Sequence, residues 1–171
     1  MNTWDAITAR RNVRRYADRP IEPEDLDAIL EAARRTPSSQ NRQRWDFVLV
    51  TDRERLRRLA GVWRGAGHVA EAAAAIALVA PSEGDARTRE SIQYDLGQAT
   101  MSIMIAAADR GIGSGHAAVR DEALAREILE IPADRFCAWL IALGHPAGGP
   151  LRPIARHDRR PFEDVVHRER W

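Results

Sequence analysis

Thr36-Pro37-Ser38-Ser39-Gln40-Asn41-Arg42-Gln43-Arg44-Trp45 is the stretch on which the fold turns, because it closes one periodic segment and opens another. Upstream, Leu26, Ile29, Leu30 and Ala33 recur at helical spacing, which predicts a helix from Pro23 to about Arg35. Pro23 suits a first helical turn, Glu24 and Asp25 favour its positive end, and Pro37 stops it. Downstream, Phe47–Val50 is short, apolar and rich in β-formers, and reads as a buried strand. The loop between offers serine hydroxyls and the amides of Asn41 and Gln43, which both donate and accept hydrogen bonds. That mixed set suits the edge of a flat polar ring, and the loop has little purely structural reason to exist. Trp45 is expected in the core.

Working outward, Trp4–Arg11 reads as a short helix capped by Thr3, and Asp52–Ala60 as a charged amphipathic one. Ala75–Ala80 and Ala138–Leu143 are two further strands. The polar segment Ser82–Arg89 reads as loop. From about Glu90 to Arg110 an apolar stripe through Ile92, Leu96, Ala99, Ile103 and Ala107, widened by Met101 and Ile105, predicts a long helix buried on most sides. Gly111 caps it, and Glu122–Leu129 forms a further helix capped by Asp121 or a neighbour. The strands are few and continuously apolar, so helices should cover both faces of a small sheet. Ala147–His157 reads as an extended tail rather than a packed element.

Composition sets the outer limits. The chain has 171 residues, 44% of them hydrophobic and 30% charged, which suits one globular domain over 1–171. A net charge of +1 gives no global pull toward nucleic acid or anionic lipid. The single cysteine, Cys137, sits in an apolar run and reads as a buried, inert thiol, in keeping with a reducing cytoplasm. The first residues lack a basic-then-apolar signal pattern, and no apolar stretch is long enough to span a bilayer.

Positive charge is instead local. Arg10, Arg11, Arg14 and Arg15 cluster near the start of the chain, and on a helix end Arg10 and Arg14 would face one way. Guanidinium forks match phosphate oxygens and keep their charge, and Asn12 adds a donor between them. Taken alone, such a cluster is equally a solvated basic face. A third piece, Gly111–Ala118, has three glycines in its first five residues, which lets backbone approach a ring; His116 is its one titratable side chain. The fourth is Arg159-Arg160-Pro161-Phe162, a basic pair that could complete a phosphate site or be no more than a charged tail.

The order of these pieces resembles the nitroreductase family. Arg10–Tyr16 is similar to its R-R-S-x-R-x-F opening, Thr36–Trp45 to its A-P-S-x-x-N-x-Q-P-W loop, and Gly111–Ser114 to its glycine turn. Ile141-Ala142-Leu143-Gly144-His145-Pro146 matches the strand end A-L-G-[YH]-P, and Arg159-Arg160 the closing basic segment. The resemblance implies an α+β, three-layer FMN-binding fold with a small, mainly antiparallel sheet, assembled as an intertwined homodimer. It implies that Arg10, Arg11, Asn12 and Arg14, with Arg159 or Arg160, hold the FMN phosphate and ribityl chain. Pro37, Ser38, Ser39, Asn41 and Gln43 would contact the ring, in part from the other subunit. His116, Ala117, Ala118 and Val119 would present backbone N–H groups to flavin N5. The arm 147–171 would reach the partner. Asn12 stands where serine is usual, Arg44 replaces a proline, and Gly115-His116 replaces larger side chains. The chain is short for the family, which implies a missing lid and a more open pocket.

The implied activity is hydride transfer from NADH or NADPH through FMN to an electron-poor acceptor such as a nitroaromatic or quinone, by ping-pong kinetics. No catalytic side chain and no metal set is nominated. Reductive dehalogenation and flavin fragmentation share the same implied fold, which does not fix function. An FMN-binding carrier or sensor without turnover is the alternative from another class. An arginine-rich interaction module without cofactor is a third reading, and the near-zero net charge counts against it.

Overall fold

Three of the strands arise from the most continuously apolar runs of the chain, and the fourth from a run almost bare of side chains. The structure, a computed structural model, describes residues 1–156 and 158–171. Strands β1 (Asp46–Val50), β2 (Ala74–Pro81), β3 (Gly113–Ala118) and β4 (Arg135–Gly144) form one sheet in the spatial order β1-β2-β4-β3, with every adjacent pair antiparallel. Around it lie α1 (Thr3–Ala9), α2 (Pro23–Arg34), α3 (Arg53–Leu59), α4 (Ala86–Asp109) and α5 (Glu122–Leu129).

β2 is buried from Ala74 to Ala80, and its alternation feeds two cores. Ala75, Ala77 and Val79, with Leu140 and Ala142 of β4, pack against Leu56 and Leu59 of α3 and Ile128 of α5. Ile76 and Leu78, with Ile141 and Leu143, pack against Leu26 and Ile29 of α2 and Leu96 and Ile103 of α4. The result is the expected helix–sheet–helix sandwich around a small antiparallel sheet. Trp45 and Cys137 are buried as expected, and burial pushes the Cys137 thiol up to about 12.

Several boundaries differ from those read in the sequence. α1 is capped by Asn2, whose side chain accepts the Asp5 N–H, rather than by Thr3, and it stops at Ala9. α4 starts at Ala86, inside the stretch expected to be loop: Asp85 accepts the Thr88 N–H and caps a first turn that has no apolar face to betray it. α4 is also less enclosed than expected, for Tyr94 stands 72% exposed on its outer side. The glycine segment before α5 is a strand rather than a turn. Gly111, at φ 70°, does make the reversal, but Gly113–Ala118 then pairs along β4 from Gly113↔Gly144 to Ala118↔Trp139.

The tail is not wholly loose. Leu151 is buried with Ala9 and Ala108, and the Ile154 N–H donates to the Thr8 carbonyl, so the first half of the arm straps α1. His157, the last residue of the stretch read as extended, lies outside the described residues. Beyond it, a short 3-10 turn, Phe162–Asp164, is followed by residues exposed throughout.

Candidate functional site

The arginine segment runs beside the open edge of β3 and is held by two isolated bridges rather than as a further strand. Arg10 leaves α1 with extended backbone (φ −61°, ψ 129°). Asn12 then bridges Ser114 in parallel sense, and the Val13 N–H donates to the Ser114 carbonyl at 2.8 Å. Tyr16 bridges Pro146, and its hydroxyl donates to the Val13 carbonyl at 2.7 Å. Burial raises the Tyr16 phenol well above its ordinary range. The expected helical face shared by Arg10 and Arg14 does not form: α1 ends at Ala9, and the peptide groups that follow pair elsewhere, Val13 N–H with Ser114 and the Arg15 carbonyl with Ala147 N–H.

Glycines make this contact possible. A Cβ on Gly115 would sit 2.4 Å from the Val13 carbonyl oxygen, and one on Gly113 would sit 2.8 Å from the Val13 side chain. These glycines were expected to admit a ring; what they admit is the arginine-bearing segment itself.

His116 of β3 completes the cluster. Its Nδ1 lies 3.2 Å from Asn12 Oδ1, an acceptor, so the imidazole donates. The ring stands edge-on to Trp139 of β4, with centroids 6.1 Å apart. Partial burial lowers the imidazole pKa, and the charges of Arg14 and then Arg10 lower it further. On the other side of β3, buried His68 lies 3.2 Å from the Gly115 carbonyl through Nε2, and burial lowers its pKa too. The Ser114 carbonyl faces the edge segment, and strand alternation directs the peptide groups of His116 and Ala118 the same way. Ala117 is buried, and Val119 packs part-buried beside it.

Arg10 Nε is buried without a hydrogen-bond partner, alone in this among the side-chain N and O atoms of the described residues. An unpaired buried N–H costs about 1–3 kcal/mol, more on a charged group. The charges of Arg10 and Arg14 both act on His116, and two guanidiniums near one another would suit an anion with several acceptor oxygens. A recess of about 480 Å³ is lined by Arg11, Asn12, Arg14, Arg15 and Gly149, among others, though not by Arg10.

The second segment lies against α4. Ser39 N–H donates to both carboxylate oxygens of buried Asp95, at 3.1 and 3.2 Å, and Thr36 Oγ1 donates to Ser102 Oγ at 2.9 Å. Gln43 N–H donates to Ser38 Oγ at 2.9 Å, and Gln43 Nε2 to the Asn41 carbonyl at 3.2 Å. Gln40, Asn41 and Gln43 hold left-handed backbone (φ 54°, 53° and 50°). The loop therefore has the structural role that the sequence did not suggest: its polar groups hold a strained turn. Asp95 was missed; the one signal was an acid inside the apolar stripe, next to Leu96.

Together with α4 the loop lines recesses of about 680 Å³ (Pro37, Ser38, Ser39, Tyr94, Gln98) and 390 Å³ (Ser39, Gln40, Arg42, Arg44, Arg87). Neither shares a lining residue with the recess at Arg11–Arg15. Arg160 Nη2 donates to the Asp164 carbonyl at 2.8 Å, and Arg159 to that of Asp158; neither lines any of these three recesses. One chain thus brings Arg10, Asn12, Arg14 and His116 together, sets Pro37–Gln43 at a separate place, and leaves Arg159 and Arg160 bonded within the tail. Among the described residues no set of His, Cys, Asp and Glu could hold a metal ion, and no helix is long and apolar enough to cross a membrane.

Comparison with known proteins gives concordant matches. The model of the Nitroreductase family matches residues 7–83 and 60–145. A protein of Archaeoglobus fulgidus, provisionally named NADH dehydrogenase/NAD(P)H nitroreductase, is 34% identical over 96% of this chain and 96% of its own length. The FMN reductase [NAD(P)H] of Bacillus subtilis is 27% identical over 97% of this chain and 73% of its own. A solved FMN-dependent nitroreductase of Clostridium difficile superposes with a TM-score of 0.84 at 26% identity, covering 97% of this chain and 98% of that one.

Proposed function

This chain belongs to the nitroreductase family, and on that premise we propose that it is an FMN-dependent NAD(P)H oxidoreductase that reduces an electron-poor small molecule such as a nitroaromatic or quinone. The observation that carries this reading is the buried, unpartnered Arg10 Nε, a charged donor without a protein acceptor in the same short segment as Asn12 and Arg14, as a phosphate monoester site needs.

Bound FMN supplies hydride transfer, accepting from a reduced nicotinamide and delivering to the acceptor. The chain's own groups bind and orient. Arg10, Asn12 and Arg14 would anchor the phosphate; Asn12 and Arg14 line one recess together with Arg11. The outward peptide groups of His116–Val119 face the ring's reactive edge. Pro37, Ser38, Ser39, Asn41 and Gln43 serve the ring from a second copy of the chain, in a homodimer whose sites lie between subunits. That assignment is supported by the separation of the two recesses within one chain and by the uncovered side of α4 at Tyr94. The arm, carrying Arg159 and Arg160, extends the same interface. A reducing cytoplasm suits the buried thiol of Cys137.

The test is an absorbance spectrum of purified protein, before and after anaerobic NADH or NADPH. A yellow protein that survives desalting and bleaches with reduced nicotinamide is expected; a yellow protein that never bleaches would make it a carrier or sensor. Arg14→Ala should lose flavin on desalting, by about tenfold or more in affinity for a lost charged hydrogen bond. Arg57→Ala, on the exposed pair with Glu54, should keep it. Equal retention in the two variants would sink the phosphate assignment.

A further inference from the structure

We propose that His116 couples the arginine cradle to protons: its imidazole takes up one proton from solvent as a phosphate monoester dianion settles between Arg10 and Arg14, and returns it when the anion leaves. The inference rests on reading the cradle as the FMN phosphate site.

The groups facing His116 come from four elements. Arg10 comes from the end of α1, Arg14 and Asn12 from the edge segment, and Trp139 from β4. His68 lies across β3, close enough for the two imidazoles to feel each other. Among the described residues, the charges that act on His116 are the two guanidiniums, with no carboxylate among them. In the free protein partial burial, with the two guanidiniums adding to it, holds the imidazole pKa below its ordinary value. A dianion between the guanidiniums offsets both and adds its own attraction, so the same ring becomes the better-placed cation. The hydrogen bond to Asn12 Oδ1 keeps the proton on Nδ1 in either state, so the arriving proton goes to Nε2. Asn12, with its oxygen held this way, turns its amide N–H groups to the anion.

Calorimetric titration of the flavin-stripped full chain with FMN decides the matter. At pH 7.5 FMN is already a dianion, since the second phosphate pKa is about 6, and binding among arginines could only release its protons. Comparing binding heats in two buffers of different ionisation enthalpy counts the protons exchanged. Net uptake by wild-type protein is expected, with FMN affinity falling by up to about tenfold per pH unit above neutrality. Riboflavin, which lacks the phosphate, should bind without uptake. His116→Gln should bind FMN more weakly near neutral pH, with the proton uptake and the pH slope gone. If that variant does not fold, the imidazole Cε1 proton resonance of wild-type protein gives the answer, by moving to its cationic position on adding FMN. FMN binding with no uptake, uptake unchanged in His116→Gln, equal uptake with riboflavin, or an unmoved resonance overturns the inference and leaves the phosphate reading standing. A chain that takes up no FMN overturns both.

Discussion

Arg10 keeps an N–H inside the protein with nothing to donate to, while His68, against the Gly115 carbonyl of β3, shows the opposite economy. His68 is buried against the Gly115 carbonyl and is held neutral by desolvation. Its folded pKa lies below the unfolded value, which is about 6.5, so the unfolded chain binds more protons once the pH drops. The stability from keeping it neutral is whole above that pH and is lost as pH falls toward the folded pKa. The melting temperature should therefore fall between about pH 7 and pH 5, and His68→Gln should flatten part of that slope. Thermal melts across the range check it; an identical slope in the variant would assign the acid sensitivity elsewhere. At this scale the sequence was informative about chemistry and silent about pairing. The arginines, the serines and His116 could be listed by what they donate or accept. That Asn12 would meet His116, or Asp95 the Ser39 N–H, depends on backbone from distant parts of the chain.

At the scale of elements, legibility followed the side chains. β1, β2 and β4 are continuous apolar runs and were readable, whereas β3 is Gly-Ser-Gly-His-Ala-Ala, with nothing in it that favours a strand. It becomes one because β4 offers a ladder on one side and the arginine segment a bridge on the other. Gly115→Ala tests how close that bridge is. The new methyl would meet the Val13 carbonyl at 2.4 Å, a backbone contact that cannot swing aside. A loss of about 1–3 kcal/mol in stability is expected, with weakened FMN retention because the cradle is displaced with the segment. Gly67→Ala, where nothing lies within 4 Å, should be close to neutral. Denaturant melts and flavin absorbance measure both effects. The loop Ser38–Gln43 was readable as a loop, but not its three left-handed residues, since only Asn among them favours that backbone.

At the scale of the molecule, the layered fold was legible because two-sided burial of short apolar strands leaves few other solutions. The candidate site was read from the sequence as a set of pieces, and one chain brings only part of them together, leaving Pro37–Gln43 and the arginine segment apart. The C-terminal segment carries the clearest consequence. Phe162, Val165 and Trp171 are exposed, Trp171 at 99%. Removing residues 161–171 should leave the sheet and helices intact, shift the protein toward monomer, and cost flavin. Light scattering coupled to size exclusion, with absorbance at the flavin band, reads both; an unchanged dimer with full flavin would show that the arm is dispensable.

The arginine segment beside β3 also dictates a schedule. Asn12 leaves the ribosome early, but its partners Ser114 and His116 emerge only after most of the chain, and Pro146, which Tyr16 needs, later still. The basic segment must wait, unpaired and accessible, through nearly the whole of synthesis. If this segment holds the FMN phosphate, as proposed above, that anchor is incomplete until β4 is out, and flavin should load after most of the chain has been made.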